Sequence, residues 1–174
     1  MCGIAGVVGE IPSQKTIEQT NDNLKHRGPD DAGVYYDTKE GIALAHRRLS
    51  IIDLSSAGKQ PFISNDGRFV LIYNGEIYNY IELRDELSPG YDFKTKTDTE
   101  VLLAAYKKWG ENCLDKLNGM FSFAIWDKKE RTLFCARDRL GIKPLFYTIS
   151  GNTLFFGSEI KALLNLGVKA SPNE

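Results

Sequence analysis

An α+β fold is predicted for this chain on three observations: short apolar runs punctuated by Gly, Pro, Asn and Asp, two hairpin signals, and only four segments with helical spacing. Residues 3–8 form an apolar run stopped by Gly9 and Pro12, which reads as a buried strand. Residues 16–25 suit a helix, with Ile17 and Leu24 on one face. Strands at 34–36 and 42–46 flank the turn 37–41. Asp66-Gly67 joins strands at 61–64 and 68–73 as a hairpin. Residues 77–87 place Tyr80, Leu83 and Leu87 at helical spacing. Thr97 and Glu100 have the spacing of a capping box, so a helix carrying Leu102, Ala105, Tyr106 and Trp109 starts there. Strands at 120–126 and 132–136 flank a charged turn, and strands at 145–149 and 153–156 flank Ser150-Gly151-Asn152. A short helix at 159–166 closes the pattern. Strands 70–73 and 120–126 lack polar alternation, so both faces of their sheets are covered. Two packed sheets with helices outside satisfy that requirement.

Composition narrows the function classes. The 174 residues suit one domain with a substantial core. A net charge of −1 argues against a basic surface built for nucleic acid. No apolar run approaches the roughly 20 residues of a membrane-spanning helix, and no basic region precedes an apolar stretch at the N-terminus as in a signal peptide. Three cysteines make no disulfide framework and fit a reducing compartment, so the chain reads as cytoplasmic. His26 and His46 offer no spacing for zinc, and no metal is expected.

Four positions carry candidate chemistry. Cys2 becomes residue 1 if the initiator methionine is removed, and then bears a thiol and a free α-amine together. The thiol is intrinsically nucleophilic, and an α-amine with a reference pKa of about 7.7–8.0 can take and return its proton. The bland alternative is a strand that begins near the terminus. Asp98, in the first turn of its helix, either favours the helix dipole or receives a ligand's ammonium. Asn74-Gly75 reads as a hairpin signal, but the residues after it run into a helical pattern. A tight strand-to-helix turn there would expose a backbone N–H beside an amide side chain, two neutral donors suited to an oxyanion. Arg48 would share a strand face with Ile42, Leu44 and His46 if that strand continues. It could clamp a carboxylate through two hydrogen bonds, or lie solvated in a basic triplet.

Taken together, the segments resemble the class II glutamine amidotransferase domains, whose nucleophile is an N-terminal cysteine. The match runs through Cys2-Gly3-Ile4-Ala5-Gly6, Arg27-Gly28-Pro29-Asp30-Asp31, Arg48-Leu49-Ser50-Ile51-Ile52-Asp53, Tyr73-Asn74-Gly75-Glu76 and Thr97-Asp98-Thr99-Glu100. It continues through Arg137-Asp138-Arg139-Leu140-Gly141-Ile142-Lys143-Pro144-Leu145 and Ser158-Glu159-Ile160-Lys161-Ala162-Leu163, covering almost the whole chain in order. Arg-Gly-Pro-Asp-Asp and Arg-Leu-Ser-Ile-Ile-Asp are similar to the asparagine synthetase branch. The resemblance implies the N-terminal nucleophile hydrolase fold, a four-layer α/β/β/α sandwich with two antiparallel sheets. It implies that Cys2 attacks the side-chain amide of L-glutamine, with Asn74 and Gly75 holding the oxyanion. Arg48, Leu49, Ile51, Glu76 and Asp98 would bind the substrate, Arg48 at its α-carboxylate, and Asp98 and Glu76 at its α-ammonium. His26 is expected to support the loop 27–31. Cys113 and Cys135 read as small core hydrophobes.

The resemblance also bounds the chain. Residues 1–174 read as a single type-2 amidotransferase domain, truncated before a C-terminal ATP-dependent synthetase domain, because no Ser-Gly-Gly-x-Asp-Ser loop is present. This domain is expected to need no cofactor; ATP and Mg belong to the synthetase half, its partner. Ammonia would go to an ATP-activated carboxylate, aspartate or a surface-polysaccharide substrate. The pattern is compatible with a homodimer. Rival readings are a non-catalytic glutamine-binding module and a stand-alone N-terminal nucleophile amidohydrolase acting on another amide. Retained Met1 would make the Cys2 nitrogen an amide, without base function.

Overall fold

The computed structural model describes residues 1–51 and 56–170. Ile52, Asp53 and the end at 171–174 lie outside the described residues. Two antiparallel sheets face each other. One has five strands in the order β2 (Asp31–Asp37), β3 (Ile42–Arg48), β1 (Gly3–Val8), β9 (Thr153–Gly157) and β8 (Phe146–Ser150). The other has four, β4 (Phe62–Ile63), β5 (Phe69–Ile77), β6 (Gly119–Asp127) and β7 (Thr132–Arg137). Between them lies an apolar layer of Ile4, Ile42, Leu44, Val70, Ile72, Ala124, Trp126 and Phe156.

The outer faces are covered by helices. Ala5, Val7, Ala43 and Ala45 pack against Ile17 of α1 (Gln14–Asn23) and Ala162 and Leu163 of α4 (Ile160–Asn165). On the other side, Leu71, Phe121, Phe123 and Ile125 pack under α2 (Tyr80–Leu87) and α3 (Asp98–Trp109). The four-layer α/β/β/α arrangement is thus present, and its cause is the missing polar alternation: successive residues of β3 and β5 are buried on opposite faces. Cys113 is fully buried and Cys135 packs against the inter-sheet layer; burial pushes their thiols up to about 11 and about 12.

Local chemistry sets the element ends. α1 begins two residues before the expected helix because the Ser13 hydroxyl caps the Thr16 N–H at 3.2 Å. Thr97 caps α3 by accepting from the Glu100 N–H at 3.3 Å, as its spacing predicts. Glu100 does not return the bond to Thr97; its carboxylate accepts from the N–H groups of Lys94 and Thr95. One expectation fails: Asn74-Gly75 is no turn. β5 runs straight through it to Ile77, pairing Asn74 with Ser122, Gly75 with Phe121 and Glu76 with Met120. The helix therefore starts at Tyr80 rather than 77, after Asn79 has bonded the backbone at Lys116 and Asn118.

Candidate active site

The eight predicted site residues, Cys2, Arg48, Leu49, Ile51, Asn74, Gly75, Glu76 and Asp98, line one cleft of about 210 Å³. It opens where the two sheets meet and where β4 ends too early to pair with the second half of β5. Each sheet contributes one wall.

The five-stranded sheet brings Cys2 and Arg48. Ile4 is locked to Ser158 twice, its N–H donating to Oγ at 3.0 Å and its carbonyl accepting from N–H at 2.8 Å. Arg27 Nε donates to the Cys2 carbonyl at 3.0 Å, while its Nη1 reaches Glu159 at 3.0 Å. His26 also bonds Glu159, at 2.8 Å, so it supports the loop 27–31 through the Arg27 ion pair at its first residue. Burial works against the charge on Glu159, yet His26, Arg27 and Lys161 outweigh it and hold the carboxyl at about 2. The Ser158-Glu159 pair thus fixes the backbone around Cys2. The loop 27–31 does adjoin the site: the Asp30 N–H donates to the Arg48 carbonyl at 3.0 Å.

Arg48 ends β3 on the face shared by Ile42, Leu44 and His46 and is buried, as the alternation predicts. Room for its guanidinium comes from Gly58, where a β-carbon would lie 2.1 Å from Nη2. The Leu49 N–H donates to Cys2 Sγ at 3.4 Å. Ile51 stands at the mouth, well exposed.

The four-stranded sheet brings Asn74, Gly75 and Glu76. Asn74 is buried, and neither its Nδ2 nor its Oδ1 has a partner. Gly75 is required because a β-carbon there would lie 2.4 Å from the Met120 carbonyl oxygen and 2.8 Å from Phe121 Cα. The Phe121 N–H and carbonyl turn away from β5, to Asp138. Phe121 and Gly75 are therefore a non-bonded pair, and the Gly75 N–H points to the open edge at the cleft.

Asp98 sits at the start of α3 with Oδ2 accepting from the Tyr73 hydroxyl at 2.8 Å and the Ile77 N–H at 3.1 Å. Burial raises its pKa despite these bonds, the signature of a carboxylate without a cation. Burial likewise raises the Cys2 thiol, more than the Leu49 N–H and the charges of the chain's amino terminus and Arg48 lower it. The thiol stays protonated at neutral pH and needs a base to react. No histidine lines the cleft.

Sequence reasoning missed Gly58, Gln60, Tyr73, Met120 and Lys143, which also line the cleft. Lys143 had a signal, since it lies inside the 137–145 segment. That segment is folded by Asp138, whose carboxylate accepts from the N–H groups of Phe121, Ile142 and Lys143.

Known proteins with this arrangement are informative. The sequence profile described as glutamine amidotransferase domain matches residues 1–174. The chain is 47% identical over 171 residues to asparagine synthetase [glutamine-hydrolyzing] 1 of Bacillus subtilis, covering 94% of the chain and 27% of that protein. It is 43% identical over 182 residues to a putative asparagine synthetase [glutamine-hydrolyzing] 2 of Methanocaldococcus jannaschii, covering 94% of the chain and 35% of that protein. The chain thus spans about a quarter to a third of the length of these relatives. Among solved structures, glutamine phosphoribosylpyrophosphate amidotransferase from B. subtilis superposes with a TM-score of 0.79 at 26% identity, over 95% of this chain and 44% of that one. Fold, cleft and sequence agree: the chain belongs to the class II glutamine amidotransferase domain family, and it is similar to the corresponding part of glutamine-hydrolysing asparagine synthetases.

Proposed function

We propose that this domain hydrolyses L-glutamine to glutamate and ammonia with Cys2 as nucleophile, once Met1 has been removed. The observation that carries the reading is the unpartnered Asn74 amide in a cleft that also holds the Cys2 thiol, buried Arg48 and uncompensated Asp98. A buried Nδ2 donor without an acceptor costs free energy that an oxyanion would recover. The α-carboxylate pairs with Arg48, and the α-ammonium with Asp98 and Glu76. Leu49 and Ile51 flank the bound amino acid.

The freed α-amine of Cys2 takes the thiol proton as Sγ attacks the amide carbon. Negative charge on the carbonyl oxygen falls to the Asn74 Nδ2 and Gly75 N–H groups. Return of the proton to the leaving nitrogen releases ammonia and leaves a γ-glutamyl thioester. Water, deprotonated by the same amine, cleaves the Sγ–carbon bond and restores the thiol. A base is obligatory because burial keeps the thiol protonated. Met1 lines the cleft mouth, so its removal both frees the amine and widens the entrance. The ammonia is destined for an ATP-activated carboxylate on a synthetase domain that binds ATP and Mg, in the cytoplasm.

Intact mass before and after exposure to 6-diazo-5-oxo-norleucine tests the reading. Loss of Met1 with one adduct, abolished in Cys2→Ala, is expected. Loss of Met1 with no adduct and no ammonia from glutamine would favour a binding module instead.

A further inference from the structure

Beyond the end of β4, the backbone groups of Tyr73, Gly75 and Ile77 on β5 face no neighbouring strand. Three of these groups are nevertheless satisfied, each by a side chain. Gln60 Oε1 accepts from the Tyr73 N–H at 2.7 Å, His46 Nε2 lies 3.0 Å from the Tyr73 carbonyl oxygen, and Asp98 Oδ2 accepts from the Ile77 N–H. The Gly75 N–H between them is left for a ligand.

His46 comes from the opposite sheet. It sits on β3, two residues before Arg48 and paired with Ile4 of β1, which follows Cys2 closely. Its ring is fully buried, and the bond to Tyr73 crosses the inter-sheet layer. A carbonyl can only accept, so Nε2 carries the proton and Nδ1 is bare, which agrees with Nδ1 having no partner. Burial, together with the Arg48 charge, outweighs the Tyr73 bond and lowers the imidazole to about 4, so the ring is neutral. Gln60 is held against β2, where Gly33 leaves so little room that a β-carbon would lie 2.0 Å from the Gln60 carbonyl oxygen.

We infer that His46 and Gln60 are positioning residues that clamp Tyr73 and so set the distance between the Asn74–Gly75 oxyanion donors and Cys2. The inference rests on the glutaminase reading for its kinetic consequence, but the clamp is also measurable without turnover. His46 touches no substrate; it fixes the strand of one sheet against the strands that carry Cys2 and Arg48 on the other. Arg48 on β3 and Asp98 on α3 belong to other elements, and Asp98 keeps its own bonds to the Tyr73 hydroxyl and the Ile77 N–H, so losing the clamp should weaken the transition state more than ground-state binding.

The test compares the Met1-processed protein with His46→Leu, which removes the donor, and His46→Gln, which restores an N–H at similar reach. Expected for His46→Leu is a fall in kcat of roughly 10–100-fold with KM within about threefold, and partial recovery in His46→Gln. Affinity for glutamate γ-semialdehyde, whose thiohemiacetal mimics the oxyanion, should fall in step with kcat while glutamate affinity holds. Amide exchange at Tyr73 and Ile77, whose N–H groups are bonded to Gln60 and Asp98, should quicken at least tenfold in His46→Leu, with β1 and β3 protection unchanged. Should His46→Leu not fold, Gln60→Leu breaks the other half of the clamp and takes the same measurements. Unchanged exchange at Tyr73 and Ile77, or a kcat within twofold of the parent, overturns the inference. A parent inactive on glutamine would overturn the glutaminase reading alone, because the exchange data still decide the clamp.

Discussion

Asp98 is held in tension between folding and binding. Its carboxylate is buried and makes no ion pair among the described residues, and burial makes the folded state hold the proton more tightly than the unfolded chain does. With a folded pKa above the unfolded one, ionisation opposes folding. The penalty is absent in acid and is fully present once pH exceeds the raised pKa. Asp98→Asn keeps an acceptor for Tyr73 and Ile77 and removes the buried charge. Its melting temperature should rise at neutral pH, by the few degrees that about 0.5–2 kcal/mol gives, while glutamine turnover is lost. The same logic makes the parent's kcat/KM fall as acid protonates Asp98, at a pH above the ordinary carboxylate range. Melting and pH-rate profiles check both. Gly58→Ala bears on the other end of the substrate: the new methyl meets the Arg48 guanidinium at 2.1 Å, and a flexible side chain can yield. KM for glutamine should rise about tenfold, one lost charge-assisted bond, with the melting temperature within a degree or two. Arg48 and Asp98 were legible in the sequence because strand alternation and helix capping are local rules. Gly58 and Gln60 were not, because each matters through a tertiary approach that no local pattern encodes.

Elements whose ends are set by turn residues match their sequence expectations closely. Asp66-Gly67 does join β4 to β5, and Ser150 to Thr153 does join β8 to β9. β5 departs from expectation where it matters most. Asn-Gly is a strong local turn signal, yet pairing with Gly119–Ser122, some 45 residues on in sequence, keeps the chain extended. That outcome is what places Asn74 and Gly75, the proposed oxyanion donors, on a strand instead of a loop, and it needs glycine on both strands: a β-carbon at Gly119 would come within 2.3 Å of the Glu76 carbonyl oxygen. Gly75→Ala forces backbone against backbone, so overpacking of about 1–3 kcal/mol and loss of turnover should appear together. At α3 the Thr97 cap can be tested separately. Thr97→Ala should cost about 1 kcal/mol by denaturant titration, since Glu100 bonds elsewhere and cannot replace the cap. A loss under about 0.3 kcal/mol would show that the tertiary contacts of α3, and not the cap, fix its start.

Seen as a whole, the molecule buries three apolar layers and builds its cleft across the middle one, so catalysis depends on both sheets being joined. The layer count was legible from unbroken apolar strands; strand order was not, because it depends on which of several similar strands meet. The order puts β8 at an edge of the five-stranded sheet, and β8 is unlike a protected edge. Phe146, Tyr147 and Ile149 are exposed along it, with Leu140 and Ile142 exposed just before. Tyr147 and Ile149 fall on one face of the strand, which is apolar, and Phe146 shares the other with Thr148 and Ser150. An apolar edge with free backbone donors and acceptors invites pairing with another chain. The isolated domain should therefore self-associate as concentration rises. Ile149→Lys puts a charge at that edge, on a strand that contributes no residue to the cleft lining, and should suppress the association without touching kcat/KM. Sedimentation velocity over a hundredfold concentration range, run beside glutamine kinetics, separates the two effects. Equal association in parent and variant would mean that β8 is not the adhesive edge. A changed kcat/KM would mean that the edge strand is coupled to the cleft through β9 and β1.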